Sequence, residues 1–236
     1  MGDELDHVAR YGMALGLAIR KRTVLVEGTT DAELFQLAAR AECDSTGLNL
    51  FGSDLAILPA GSGDLGGTRG VIRELVCFRG LARTCLLPNG RPRYRFLGLF
   101  DNDKAGRLAV KSARELDSSI LEFKDLLRLW PVMPLCTNLD PIGMQRIFER
   151  ENGDYKGLDW ELEDMLPEGF IDAFQAEYPG AVVRTITVRG KVHREFTSDG
   201  KARLHRFVKE HAMRSDLSGV IEVLKAIRLY LGFKDS

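Results

Sequence analysis

The feature that most constrains the fold is a repeated alternation of apolar runs with segments of helical periodicity. Three apolar runs are each followed by apolar residues at helical spacing: RTVLVEG before residues 31–42, SDLAILPAG before 68–78, and YRFLGLF before 105–116. Strands that are buried on both faces are apolar throughout, and parallel strands need helical crossovers between them. The alternation therefore predicts a mostly parallel α/β sheet flanked by helices.

The second half of the chain has a different pattern. LLRLWPVMPL indicates a strand that its prolines confine to a sheet edge, GLDWELEDML a short helix, and VVRTITVRGKVHREFTSDG a hairpin that turns near Gly190 and Lys191. Two closing helices are predicted at residues 201–213 and 217–231. We predict an α/β core with an amphipathic N-terminal helix, residues 1–140, and a C-terminal α+β extension, residues 141–236, that packs onto it.

Composition excludes several classes of protein. The 236 residues carry a net charge of −1 and no long apolar segment, which favours a cytoplasmic protein without a membrane partner. Basic stretches at 69–95 and 184–214 fit a phosphate backbone or a solvated surface equally.

Trp130 and Trp160 are interpreted as packing residues rather than base-stacking residues. The cysteines lack metal or disulfide spacing and are expected to be reduced core thiols: Cys43, Cys77, Cys85 and Cys136.

Acidic side chains stand where the apolar strands end. Glu27 ends the first run, Asp31 follows four residues later, and Asp101 and Asp103 follow the third run. Carboxyl ends of parallel strands meet at one edge of the sheet, which is where sites form. Carboxylates gathered there repel one another unless a cation is present, and Mg²⁺ prefers such oxygen ligands. A pair of Mg²⁺ ions ~4 Å apart activates a water and stabilises the leaving oxygen of a phosphodiester.

Two other interpretations of these segments remain open. Asp31, Asp101 and Asp103 are also suited to capping the helices that follow them. The loop GSGDLGG has the G-x-G-x-x-G spacing of a dinucleotide site at Gly61, Gly63 and Gly66. That motif belongs after the first strand, with an acidic residue about 20 residues later for the ribose. Here it follows the second strand and GLARTCLLPNG offers no acid, so a flexible turn is favoured.

The strand ending VEG before TTD, the strand ending DND before KAGR, and Gly61 together resemble the TOPRIM domain. This domain occurs in topoisomerases, bacterial primases, recombination mediators and nucleases of the overcoming-lysogenization-defect (OLD) type. The resemblance covers residues 20–118 and implies a TOPRIM-like (Rossmann-like) fold with phosphodiester chemistry. It implies that Glu27 is a metal ligand or general acid/base and that Asp101 and Asp103 are Mg²⁺ ligands.

The chain is most similar to the nuclease domain of the OLD type, without its phosphate-binding ATPase half. That similarity implies Asp31, Glu161 and Glu163 as further metal ligands, with Asp164 a weaker candidate. It also implies that Lys201, in TSDGKARLHRF, steadies the charge that develops on the phosphate.

The expected function is a two-metal nuclease that uses Mg²⁺, with Mn²⁺ as a substitute, in phage defence or DNA repair. Expected partners are nucleic acid, with DNA favoured over RNA, a separately encoded ATPase and a second copy of the chain. Two alternatives stay open. One is a non-catalytic or partner-activated TOPRIM subunit that binds nucleic acid or a protein. The other is a TOPRIM ribonuclease of the kind that matures 5S ribosomal RNA.

Overall fold

The framework of the protein is a four-stranded parallel sheet, seen in a computed structural model that describes residues 6–61, 66–135 and 140–233. The strands are β1 (Arg22–Val26), β2 (Leu55–Pro59), β3 (Arg95–Phe100) and β4 (Leu126–Arg128). Their order is β2-β1-β3-β4, with Val24 of β1 opposite Ile57 on one side and Leu97 on the other. The predicted parallel α/β sheet flanked by helices is confirmed, and the proline-limited β4 lies at an edge.

Helices flank the sheet, and a separate hairpin lies in the second half of the chain. The hairpin pairs β5 (Val182–Val188) with β6 (Lys191–Phe196), and 3₁₀ turns form at Gly153–Tyr155 and Leu162–Met165. The α-helices are α1 (His7–Ala14), α2 (Thr29–Thr46), α3 (Gly67–Ala82), α4 (Lys104–Leu116), α5 (Pro141–Glu151), α6 (Glu168–Glu177), α7 (Ser198–His211) and α8 (Ser218–Tyr230).

Alternate residues of β1 face two separate hydrophobic cores. Val24 and Val26 pack with α2 and with the C-terminal helices, whereas Leu25 packs with α3 and α4. Buried Glu42 of α2 pairs with Arg214 at 2.6 Å and with Lys225 of α8 at 3.3 Å. The second half of the chain therefore covers one whole face of the sheet.

The connections between strands run in opposite directions across the sheet, from β1 outward to β2 and then from β2 back past β1 to β3. Helix α2, which connects β1 to β2, lies in one core, and α3, which connects β2 back to β3, lies in the other. Because these two connections lie on opposite faces of the sheet, they diverge and leave a crevice between the ends of β1 and β3. In open α/β sheets, ligands bind at this kind of topological switch point.

Two helices and one turn differ from the sequence expectation. Helices α5 and α6 were not predicted, although Asp140 caps α5 by accepting the Gly143 N–H at 2.9 Å. GLDWELEDML forms only a four-residue 3₁₀ turn, since Leu166 stands before Pro167 and is extended. The hairpin turns at Arg189 and Gly190, whose φ angles of 51° and 76° suit a tight two-residue loop.

Some sequence features lie outside the described residues, namely Gly63 of the glycine-rich loop and Cys136. Cys43, Cys77 and Cys85 are free thiols, as expected. Across the described ranges, every helix is too short or too polar to cross a membrane.

Candidate functional site

Glu27 and Asp101 stand on the two sides of the crevice between β1 and β3. The backbone N–H of Asp101 donates to Glu27 Oε1 at 3.3 Å. Both residues are partly buried. Each follows directly on its strand, so the sheet register fixes where the two carboxylates lie. The strand-end acids are therefore neighbours in space, as the parallel arrangement predicts.

Asp31 and Asp103 lie at the starts of the helices that follow these strands. Asp31 Oδ2 accepts the Gly28 N–H at 2.9 Å, and Asp103 Oδ1 accepts the Gly106 N–H at 2.7 Å. Capping thus uses one carboxylate oxygen of each residue. A carboxylate has a second oxygen, so capping and ligand binding are compatible at both positions.

Gly106 lets α4 begin directly against the end of β3. A Cβ atom built at this position would lie 1.9 Å from the Asp101 carbonyl oxygen, which is far inside van der Waals contact. The close approach holds Asp101 and Asp103 at the same edge as Glu27. This accounts physically for the glycine in DNDKAG.

The acidic turn, defined as residues 160–165, is fastened along the end of β3 by backbone pairing. Asn102 donates its N–H to the Trp160 carbonyl at 2.8 Å, and Trp160 returns a bond to the Asn102 carbonyl at 3.3 Å. The Leu162 N–H also donates to Asp101 Oδ1 at 3.1 Å. This pairing brings Glu161 and Glu163 to the carboxylate edge. This role of Asn102 has no signal in the sequence beyond its place between two acids.

Lys201 lies between the two glutamates of the acidic turn. Its Nζ is 3.0 Å from Glu161 Oε2 and 3.3 Å from Glu163 Oε1, and its side chain is 36% exposed. Helix α7 places it there from its first turn, after the Thr197 cap. The lysine thus joins the acids that it was predicted to accompany.

Mutual repulsion and burial shape the ionisation of this cluster. Burial, helped by the charges of Asp31 and Asp103, raises the pKa of Glu27 to about 7. Burial and the charge of Glu163 raise the pKa of Asp31 to about 6, and they raise the pKa of Asp101 well above its usual range. The site holds more negative charge than its single lysine neutralises, so it favours a bound cation.

Burial opposes the charged form of Lys201, but nearby acids outweigh it. The charges of Glu163 and Glu161 raise the pKa of Lys201 above its ordinary value. The lysine is therefore a permanent cation at neutral pH. It offers positive charge beside the carboxylates without any proton change.

Asp164, the weaker ligand candidate, has a structural role instead. Its Oδ2 accepts the Glu161 N–H at 2.8 Å and lies 2.7 Å from Nδ1 of buried His193. The Arg194 N–H also reaches its Oδ1 at 3.4 Å. Asp164 thus ties the acidic turn to β6, and its oxygens are used within the protein.

The fit of this site to Mg²⁺ comes from the chemistry of its donors. In the ranges that the structure describes, no three His, Cys, Asp or Glu side chains already surround one metal position. The donors are nonetheless hard carboxylate oxygens of the type that Mg²⁺ binds. Buried Glu161 Oε2 contacts Lys201 as an ion pair without hydrogen-bond geometry, so it retains acceptor capacity. The donor set therefore fits a hard divalent cation.

The raised carboxyl pKa values predict how metal-free stability changes with pH. The folded state holds protons on Glu27 and Asp31 more tightly than the unfolded chain, so their contribution is complete below about pH 4. It is lost as pH rises through about 6 and 7. We expect the free energy of unfolding in EDTA, from urea titrations, to fall between about pH 4 and 7. The raised pKa values correspond to a loss of about 3 kcal/mol for each group.

A matched pair of variants isolates this effect from other titrating groups. Glu27→Gln removes a group with a raised pKa and should make the free energy of unfolding fall less steeply with pH. Glu33→Gln is the control, because it changes an exposed carboxyl whose pKa is lowered by Lys209. Equal slopes for Glu27→Gln and the wild type would contradict the assignment of the decline to this cluster.

Several arginines of the two basic stretches form ion pairs within the protein. In the first, Arg79 pairs with Asp117 and Asp125, at 2.9 and 3.3 Å. In the second, Arg194 pairs with Asp172 at 2.8 Å. The solvated-surface interpretation therefore accounts for these arginines, and the stretches are weaker evidence for a phosphate-binding face.

The structure brings the predicted site residues to one edge of the sheet. Glu27, Asp31, Asp101, Glu161 and Glu163 interact with one another or with Lys201, and Asp103 joins them through its charge on Glu27. The residues come from β1, α2, β3, the acidic turn and α7, so the site depends on the whole fold. Comparisons with family models, with curated proteins and with solved structures found no match to this chain.

Proposed function

We propose that this protein is a TOPRIM-like, Mg²⁺-dependent nuclease that hydrolyses phosphodiester bonds. The observation that supports the proposal best is the group of carboxylates beside one lysine at the switch point of the sheet. Glu27 and Asp101 are in hydrogen-bond contact there, and Lys201 lies within 3.3 Å of both glutamates of the acidic turn. A fold that needed only helix caps would not require six acids and a half-buried cation at one edge.

The acids would hold the metal and the lysine would face the phosphate. The candidate ligands are Glu27, Asp31, Asp101, Asp103, Glu161 and Glu163. When bound, the metal polarises the phosphoryl oxygen and makes a water nucleophilic near neutral pH. Mn²⁺ is a suitable substitute because it prefers the same oxygen ligands.

The chain's own groups provide orientation and charge. The Asn102–Trp160 backbone pairing and the Leu162–Asp101 bond hold the acidic turn, with Glu161 and Glu163, against the end of β3. Lys201 is placed to stabilise negative charge on a substrate phosphate. Such preorganised charge costs no rearrangement during the reaction.

The proposed context follows the resemblance to OLD-type nucleases. We propose a cytoplasmic enzyme of phage defence or DNA repair that acts on DNA in preference to RNA, under the control of a separately encoded ATPase. Self-association with a second copy of the chain belongs to the same proposal.

A partner-activated subunit is the second candidate, and one observation favours it. Within the described part of the chain the acids do not yet surround a metal position, and Lys201 neutralises two of them. A partner that shifted the acidic turn or α7 would change both the arrangement of the acids and their ion pairs with Lys201. This candidate predicts that the isolated chain binds nucleic acid but cleaves it only with the partner.

The test is a cleavage assay with the purified protein. Supercoiled plasmid, linear duplex, single-stranded DNA and transfer RNA are incubated with Mg²⁺, Mn²⁺ or EDTA. We expect metal-dependent cleavage of at least one DNA substrate, absent in EDTA and absent from an Asp101→Asn preparation purified in parallel. Cleavage of transfer RNA alone would support the ribonuclease alternative.

A negative result is also informative. If the folded wild type cleaves nothing in either metal, the nuclease proposal for the isolated chain is wrong. The partner-activated subunit then becomes the leading candidate, and the assay is repeated with the ATPase partner.

A further inference from the structure

A cavity of about 580 Å³ adjoins the carboxylate edge. Its volume lies within the range of about 300–1,000 Å³ that small-molecule sites occupy. Its lining includes Asn102, Arg107, Trp130, Asn152, Tyr155 and Lys156, together with the acids Glu149 and Asp159. Aromatic, amide and cationic groups thus line one concave surface.

The cavity and the carboxylate cluster share the same backbone. Asn102 lines the cavity and is flanked in sequence by Asp101 and Asp103. Asp159, another lining residue, stands two positions before Glu161. A strand whose phosphate lies at the carboxylates therefore has this cavity beside it for an adjacent nucleoside.

The aromatic wall is held in a fixed orientation. Trp130 packs edge-on against Phe148, with ring centroids 5.8 Å apart, and carries the Arg128 guanidinium 5.1 Å from its ring centre. Its Nε1 is buried and finds no hydrogen-bond partner among the described residues. Tyr155 is fixed in the same way against Trp160 at 5.2 Å. Rigid aromatic faces of this kind stack bases at low entropic cost.

Two lining residues of the cavity, Arg107 and Lys156, are cationic. Arg107 donates to the Asn102 carbonyl at 3.1 Å and to Asp159 at 2.8 Å, yet its side chain is 45% exposed. Lys156 is exposed. The Asn152 side chain is held by two bonds to the Val132 backbone, at 2.8 and 2.9 Å. The cavity is therefore preformed, and its exposed cations lie among acidic lining residues.

We propose that this cavity binds an unpaired nucleobase of the substrate strand, next to the phosphate at the carboxylate edge. The inference rests on the proposed nuclease function and names its substrate class, which is single-stranded or locally melted nucleic acid. A base that remains paired and stacked in a duplex cannot enter a concave pocket of this kind. Trp130 packs against the core as expected from the sequence, and the proposal gives it a second role beside the cavity.

The two tryptophans of the chain allow a direct binding test without catalysis. In Trp160→Phe protein, Trp130 is the only tryptophan, and its fluorescence is followed in EDTA. Thymidine 5′-monophosphate, an oligothymidylate and a duplex of matched length are the probes. We expect saturable quenching by the oligothymidylate, weaker quenching by the mononucleotide and the least by the duplex.

A pair of substitutions then tests the aromatic wall. Trp130→Leu should weaken binding of a dye-labelled oligothymidylate, measured by anisotropy, about tenfold or more. Tyr178→Leu is the matched control, because Tyr178 also carries an arginine, Arg203, 5.5 Å from its ring centre but lies outside the cavity. Its affinity should equal that of the wild type.

The outcomes separate this inference from the nuclease proposal. If Trp130→Leu loses binding and the wild type cleaves nothing, the result supports the pocket and counts against nuclease activity of the isolated chain. Metal-dependent cleavage with unchanged KM in Trp130→Leu supports the nuclease and overturns the pocket. Duplex bound as tightly as oligothymidylate, or no quenching of Trp130 at all, also overturns it.

Discussion

Replacing Asp101 with asparagine is expected to lower metal-dependent cleavage by about a thousandfold or more while making the metal-free protein more stable. Asp101 is the acid with the most like-charged neighbours, since Glu163, Glu27 and Asp31 all raise its pKa after burial. Losing one metal ligand removes several kcal/mol of transition-state stabilisation, which corresponds to roughly a thousandfold in rate.

The expected gain in stability has a separate cause. The ionised form of Asp101 is buried among other carboxylates, and a neutral amide removes that repulsion. Asparagine keeps the shape of the residue, and its Oδ1 can still accept the Leu162 N–H that Asp101 accepts at 3.1 Å. We therefore expect the free energy of unfolding in EDTA to rise.

Urea titrations with and without Mg²⁺ measure both effects on the same samples. Mg²⁺ should stabilise the wild type and leave Asp101→Asn unchanged, since a ligand stabilises only the state that binds it. Asp199→Asn, at an exposed acid of α7 that pairs with Arg203, is the matched control and should behave as the wild type. An Asp101→Asn protein that is less stable in EDTA, or that still responds fully to Mg²⁺, would show that the cluster is not a repulsive metal site.

The sequence was sufficient to place the first half of this site. Glu27 and Asp101 end apolar runs, and a parallel sheet must bring such ends to one edge. The periodicity of those runs predicted three of the four sheet strands and the helices between them. Local signals determine these elements, so their positions can be inferred without knowledge of distant contacts.

The second half of the site depends on contacts that periodicity does not encode. Glu161 and Glu163 reach the edge because Asn102 pairs with Trp160, across 58 positions of the chain, and because His193 holds Asp164. Only the family resemblance suggested these acids. The cavity beside Trp130 was missed for the same reason, since its walls come from α4, the segment after β4, the end of α5 and the segment around Tyr155.

Lys201 provides the second large expected effect. Lys201→Met keeps the length of the side chain but removes the charge that lies 3.0 Å from Glu161 and 3.3 Å from Glu163. If the lysine stabilises charge on the substrate phosphate, kcat should fall about 100- to 1,000-fold, the range seen when one preorganised donor is removed. The metal-free protein should also lose stability, because the glutamates are left with less compensation.

Two matched variants distinguish a role in catalysis from a role in folding. Lys201→Arg retains the positive charge and should recover much of the stability, with partial activity because the guanidinium has a different shape. Lys209→Met removes a lysine of the same helix that pairs with exposed Glu33 at 2.6 Å, and it should leave kcat unchanged. If Lys201→Met lost stability but kept kcat, the lysine would be only a counter-ion for the acids. If Lys201→Met had both the stability and the activity of the wild type, Lys201 would not belong to the site. The substrate phosphate would then depend on the metal alone for compensating positive charge.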